Sequence, residues 1–337
     1  MNLPNLEHVR VAKTVNRPGD FLSVAHEPDG DRVWLGHTDF RIYTIDFAVE
    51  KPEAQEVFAE HTSYVSSLVL HGDLLISASW DRTLRWWNIR DRKPLRAVAA
   101  HQRWIRQLDL HASSNRLASV ADDMTCKLWE ADSGKPVRTL SGFEARIPRW
   151  DYPNKLFACA FSPDGRHLAA ADEMCRVVVW EADSGREAAR FDATGFFKED
   201  WDRNNHPYGG IRCLRFSPDG RTLAIAGMEN SDVAIINGKG LVQAFDWQAG
   251  KKTYEQKIGS NVQLECLAYH PRAAWLVTAV GGAGNGGNIS FLDPAEPKVL
   301  KDAPATMQTF GFAWGENAES FYTAGRGKAL KWHFAPA

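Results

Sequence analysis

The sequence predicts an all-β fold in which seven four-stranded units close into a ring. Three observations carry this. The stretch from His61 to Trp87 is followed by a near copy from His101 to Trp129, in which Ser119, Asp123 and Trp129 repeat the mutual spacing of Ser77, Asp81 and Trp87. A spacing kept that closely marks one structural unit used more than once. Turn signals also recur, as EPDGD at 27–31, SPDGR at 162–166 and SPDGR at 217–221. Between them lie short alternating or continuous apolar runs, with no long helical period.

In each PDG turn, Pro presets φ, Asp can bond its own backbone, and Gly takes the positive φ that a tight turn needs. A second turn type, EADSGK at 130–135 and EADSGR at 181–186, follows Trp129 and Trp180, and QAGK at 248–251 is a weaker form of it. Aligned on these turns, the first strands of the units begin near Phe21, Tyr64, Trp104, Leu156, Ile211, Leu264 and Met307. Units one to six each supply four strand candidates; in unit two these are 64–70, 74–79, 83–89 and 94–98. Unit seven supplies three. The alternating run at 9–15 precedes unit one and is expected to become the outer strand of unit seven, so that the two ends of the chain close the ring without a large free edge. The expected organisation is a single domain, 1–337, with blades at 20–60, 61–100, 101–141, 156–193, 210–258, 262–303 and 306–334 plus 8–16.

The pattern of His, apolar run, SPDG, Ser-x-x-x-Asp, then Trp followed by Ser-Gly or Gly resembles the WD-repeat family of β-propellers. The resemblance runs from Val9 to Phe334, strongest in units two and three and weakest in one, six and seven. The family's Trp-Asp pair is replaced by Trp87-Asn88, Trp129-Glu130 and Trp180-Glu181. The resemblance implies a seven-bladed β-propeller of four-stranded antiparallel blades.

Composition narrows the function classes. The 337 residues carry a net charge of -2, so no overall basic field draws the chain to nucleic acid or to an anionic membrane. Five Cys without a CxxC pair suit reduced thiols, and no apolar signal core or membrane-length stretch is present. The expectation is a soluble, cytoplasmic, monomeric protein without cofactor or metal, whose sequon at Asn288 stays unmodified.

His61, Ser77 and Asp81 are the residue types of a hydrolytic triad. They occur twice with a Trp at the same offset and without a G-x-S-x-G elbow, so they read as buried structural tetrads: His61, Ser77, Asp81 and Trp87, and His101, Ser119, Asp123 and Trp129. The resemblance implies the same role. GGAGNGG at 281–287 contains a G-x-G-x-x-G, but a strand follows where a dinucleotide site needs a helix, so it reads as a hairpin loop. Cys159, Cys213 and Cys266 hold equivalent strand positions and read as core thiols. His71, His111 and His270 read as surface residues beside turns. Arg82, Arg85, Arg90, Arg92, Arg96, Arg103 and Arg106 make units two and three locally basic, without interleaved aromatics or the overall charge of an RNA site.

Departures from the repeat point to the function. Insertions at 141–155, 193–210, 227–240 and 281–288 all fall on links that emerge on one side of a four-stranded blade, over units four to six. Two are rich in aromatics and charge, with Arg146, Arg149, Trp150 and Tyr152 in the first and Phe196, Phe197, Trp201 and Tyr208 in the second. Aromatic residues with Arg on a rigid frame suit a partner-binding surface. The reading is a non-catalytic scaffold that binds a protein or peptide on this face. The alternative is an enzyme or small-ligand binder with a pocket at the channel mouth under 193–210 and 227–240, using Asp200, Asp202, His206 and Glu229.

Overall fold

The structure is a computed structural model that describes residues 4–147, 152–196, 210–229, 238–259, 262–272, 275–282 and 286–334. The chain opens with β1 (Arg10–His26), β2 (Arg32–His37), β3 (Ile42–Asp46) and β4 (Gln55–Phe58). Then come β5 (Val65–His71), β6 (Leu74–Ser79), β7 (Thr83–Asn88) and β8 (Lys93–Ala99). The next sheet is β9 (Ile105–His111), β10 (Arg116–Ala121), β11 (Cys126–Glu130) and β12 (Pro136–Leu140). A short hairpin, β13 (Arg146–Ile147) with β14 (Tyr152–Pro153), leads into β15 (Leu156–Phe161), β16 (His167–Asp172), β17 (Arg176–Glu181) and β18 (Glu187–Asp192). Two further sheets follow: β19 (Gly210–Phe216), β20 (Thr222–Met228), β21 (Gly240–Asp246) and β22 (Lys251–Ile258), then β23 (Val262–Tyr269), β24 (Leu276–Gly282), β25 (Gly287–Leu292) and β26 (Val299–Ala305). The chain ends in β27 (Thr309–Trp314) and β28 (Ser320–His333).

The expectation of seven separate four-stranded blades is corrected. Apart from the β13–β14 hairpin, the described strands form six blades, five of four antiparallel strands and one of six in the order β27-β28-β1-β2-β3-β4. The reason lies in two long strands. β1 pairs with β28 through Arg10–Asn16 and with β2 through Phe21–His26, so the first and last sequence units join in one continuous ladder. The N-terminal run thus pairs with the last strand, with Arg10 opposite His333 and Asn16 opposite Lys328.

Hydrophobic residues fill the space between neighbouring blades rather than one central core. Cys126, Leu128, Leu156, Leu168, Val178 and Trp180 form one such layer, and Ile76, Trp86, Ile105, Leu117 and Trp129 another. Trp supplies large ring area for flat sheet-on-sheet packing, and Trp34, Trp86, Trp87, Trp180 and Trp332 are all fully buried.

The repeated turns have repeated geometry. In both SPDG turns the Ser N–H donates to a carbonyl five residues on, and the Gly sits at φ +70° (Gly165) or +71° (Gly220). EPDGD differs: its Glu27 N–H makes the equivalent bond, but Asp29 takes the positive φ. At the turn of β23 and β24, His270 stands where these Ser stand, with its N–H on Trp275 O. It is not the surface residue expected, because Trp275 and Trp314 enclose its ring. GGAGNGG does join two paired strands, with Gly281 opposite Gly287.

Deleting residues 1–17 strips the partner from residues 328–333 of β28 and uncovers Trp332 and Leu330. The truncated chain is expected to melt at least about 5 °C lower or to become insoluble through its free edge. Unchanged thermal melting would refute this closure.

Candidate functional site

The tetrads are built alike. Trp87 Nε1–H donates to Ser77 Oγ at 2.9 Å, and the Ser77 hydroxyl meets His61 Nε2 at 2.7 Å. His61 Nδ1–H then donates to the Asp81 carboxylate at 2.7 Å. The second set repeats these at 2.9 Å from Trp129 to Ser119, 2.7 Å from Ser119 to His101, and 3.1 Å from His101 to Asp123. Each carboxylate also accepts the N–H and hydroxyl of the Thr two residues on, Thr83 or Thr125, and the N–H of the residue after the His. Burial alone would raise the Asp81 and Asp123 carboxyls. The bonds from His, Thr and backbone outweigh it and hold both well below the ordinary 3.8.

Ser77 and Ser119 are fully buried, with the indole of Trp87 or Trp129 on the hydroxyl oxygen and His on its proton. A substrate carbonyl has no approach to either oxygen. These groups tie the outer loop to the strands, and unit four lacks them: Ala170 and Met174 occupy the Ser and Asp positions.

The channel is where the sheets expose varied chemistry. Seven inner strands surround it (β1, β5, β9, β15, β19, β23 and β27), two of them supplied by the six-stranded blade. In every one the pairing register skips one residue, near the strand start in all but the long β1. The skipped residues are Leu22, Ser66, Arg106, Phe157, Arg212, Glu265 and Phe310. A bulge re-aims the extra side chain, and all seven line one cavity of about 500 Å3. Arg106 donates two hydrogen bonds to Asp122, at 2.7 and 2.6 Å. The guanidiniums of Arg106 and Arg212 both lie over the Phe157 ring, at 5.1 and 4.2 Å from its centroid. Burial in the channel pushes the Glu265 carboxyl up, against the opposing charges of Arg212 and Arg106. This ring was not found by sequence reasoning; the signal was present only as one residue, unlike from unit to unit, one to three positions after each unit start.

The insertions are anchored at their bases. Asn154 N–H donates to Ala145 O at 3.1 Å, Gly210 N–H to Phe196 O at 2.8 Å and Glu229 N–H to Lys239 O at 2.7 Å. Two bases touch, because Gly210 pairs with Met228 and a Cβ on Gly227 would lie 2.2 Å from Gly210 O. Of the sequence-predicted residues, Arg146 is exposed on β13, and Tyr152 lies opposite Ile147 on β14. Phe196 corrects the expectation of an exposed ring. It is fully buried among Ala193, Ile211 and Leu241, so it caps the blade below the insertion. Arg149, Trp150, Phe197, Trp201 and Tyr208 lie outside the described residues, as do Asp200, Asp202 and His206. Glu229 is ion-paired with Lys257.

All five Cys are buried and free, and no metal-binding cluster occurs among the described residues. Burial pushes the thiols up, so they pack as neutral groups.

Comparison with known proteins agrees with this geometry. The WD40 model, "WD domain, G-beta repeat", matches residues 53–88, 92–130, 134–181 and 202–236. Telomerase protein component 1 of Rattus norvegicus is 30% identical over 169 residues, 48% of this chain and 6% of that protein. Eukaryotic translation initiation factor 3 subunit I of Scheffersomyces stipitis is 27% identical over 187 residues, 53% of this chain and 47% of that protein. COMPASS component SWD3 of Saccharomyces cerevisiae is 23% identical over 231 residues, 67% of this chain and 71% of that protein. The chain thus spans less than half the length of the first two.

Replacing His61 by Ala is expected to lower unfolding free energy by about 2–3 kcal/mol, the cost of leaving buried partners unpaired. The acid limb follows from the carboxylates. Their folded pKa lies below the unfolded value, so their stabilisation is complete above about pH 4 and is lost as pH falls further. Thermal melts against pH should show a shallower acid limb for Asp81→Asn/Asp123→Asn; an identical limb would refute the assignment.

Proposed function

This chain belongs to the WD-repeat proteins, and we propose that within that family it is a non-catalytic scaffold that docks a protein or peptide on the insertion-bearing face of blades four to six. WD-repeat propellers serve typically as protein-interaction platforms, although a fold by itself hosts many functions. The observation that carries the reading is the anchoring of the insertions. Three excursions of the chain, at 146–153, 197–209 and 230–238, are each closed by one backbone hydrogen bond at or next to the strands of the frame. Rigid bases suit binding loops, because less conformational freedom is lost on association.

The burial of both Ser hydroxyls argues against hydrolytic chemistry in the tetrads. Glu229, a candidate of the small-ligand reading, is held by Lys257 rather than poised over the channel. Docking is therefore the reading adopted.

Within the insertions, Trp150, Phe197 and Trp201 are proposed as the apolar anchors, Arg146 and Arg149 as their charged flank, and Tyr152 and Tyr208 as supporting contacts. Trp150→Ala/Phe197→Ala/Trp201→Ala should melt within about 2 °C of wild type, as surface changes do. The same variant should lose a partner that wild type captures from native lysate. A large fall in melting temperature would assign these rings to capping instead, as Phe196 already is.

A further inference from the structure

On the same face, but over blades two and three, lies a surface the repeats do not require. The rings of Trp80 and Trp104 stack in parallel, 4.4 Å apart and 4° from coplanar. Tyr64 lies 4.7 Å from Trp80, and Phe40 lies 5.9 Å from Tyr64, so the aromatics form a strip. Trp104 is 47% exposed, the largest side chain among the exposed hydrophobics of the described residues. Trp80 follows β6 in the hairpin to β7, and Trp104 immediately precedes β9. Both are held by backbone bonds, from Trp80 N–H to Tyr64 O and from Asp122 N–H to Trp104 O, each 3.0 Å. The guanidinium of Arg106 supports the pair from the channel side, 5.2 Å from Trp80 and 5.3 Å from Trp104.

The charges around the pair are unequal. Trp80 and Trp104 share a concavity of about 580 Å3 with Thr62, Asp81, Arg82, Arg103 and Asp122. Both carboxylates there are already engaged, Asp81 by His61 and Thr83, and Asp122 by Arg106. Arg82 and Arg103 are exposed and enter no ion pair among the described residues. The concavity therefore presents two uncommitted guanidiniums beside an exposed indole.

We propose that this patch binds an acidic peptide segment, with an apolar side chain laid against Trp104 and carboxylates paired to Arg82 and Arg103. Partially desolvated aromatic and Arg side chains are the usual anchors of such contacts, and complementary charge selects the partner. Single-stranded nucleic acid fits less well. The facing sides of Trp80 and Trp104 are closed on each other, leaving no slot for a base between them. Among the described residues the concavity offers two unpaired cations, where a nucleic-acid strand needs a basic track. This site goes beyond the docking reading for blades four to six and does not depend on it.

The test is selection from a displayed random peptide library on the wild-type protein, with Arg82→Asp/Arg103→Glu as counter-target. Asp suits position 82 because Arg82 sits at φ 74°, which Asp tolerates. Recovered peptides should carry two or more Asp or Glu around an apolar residue. Their affinity should fall roughly tenfold on the double reversal, with a steep loss in high salt, and about thirtyfold for Trp104→Ala. Melting temperatures of both variants should match wild type, since Trp104, Arg82 and Arg103 lie outside the tetrads. Neutral or basic peptides, no enrichment, or affinity unchanged by the reversal would each overturn the proposal. So would displacement of the selected peptides by single-stranded RNA at lower concentration, which would assign the patch to nucleic acid.

Discussion

Antiparallel pairing between residues 10–16 and 328–333 is the contact on which the ring depends. Most other strand pairings join neighbours linked by a short hairpin, and their loop-closure cost is small. This one joins segments more than 300 residues apart and brings the first and last inner strands together. It is reinforced across the seam. Lys331 pairs with Asp31 at 2.6 Å, Tyr322 donates to the same carboxylate at 2.6 Å, and Lys13 donates to Phe47 O and Val49 O. A second polar cluster lies at the turn within β1, where Arg17 and Tyr43 both hold Asp39. Closure therefore rests on a ladder of backbone bonds with charged clamps on either side, and it removes the free edges that a radial stack of sheets would otherwise expose.

Once the ring is closed, the tetrads and the bulges divide the work between stability and display. The tetrads carry their polar groups inward and satisfy them completely, so they stiffen the outer loops of blades two and three and offer nothing to a ligand. The bulges do the opposite. One extra residue per inner strand turns a side chain into the channel, and the identity of that residue is free because no neighbouring strand pairs with it. Leu22, Ser66, Arg106, Phe157, Arg212, Glu265 and Phe310 are chemically unlike one another although the backbone device is the same. The variable chemistry sits on an invariant frame.

The same division separates the two surfaces proposed for binding. Over blades four to six the chain leaves and re-enters its strands through single hydrogen bonds, so its additions are attached to the frame without interrupting it. Over blades two and three nothing is inserted. There the binding character comes from hairpin residues, Trp80 and Arg82, and from Arg103 and Trp104, which precede β9. The sequence repeat makes Trp80 equivalent to Asp122 and Tyr64 equivalent to Trp104, but the side chains placed there differ.

The sequence by itself determined the strands, the turns and the tetrads, because each depends on residues near one another in the chain. The four strands of blade two fall within a few residues of their expected bounds, and His61–Ser77–Asp81–Trp87 is bonded as its spacing implies. It also marked the N-terminal run as a strand in need of a partner. Tertiary structure alone decided the rest. Counting repeats gives seven units, but hydrogen-bond ladders join two of them, because β1 and β28 run through both. Phe196 looked like an exposed aromatic in an insertion, yet it packs between blades four and five, since burial depends on what a distant strand brings alongside. The stack of Trp80 on Trp104 is of the same kind. Local spacing places each ring on its own blade, and only the angle between blades two and three lays them face to face.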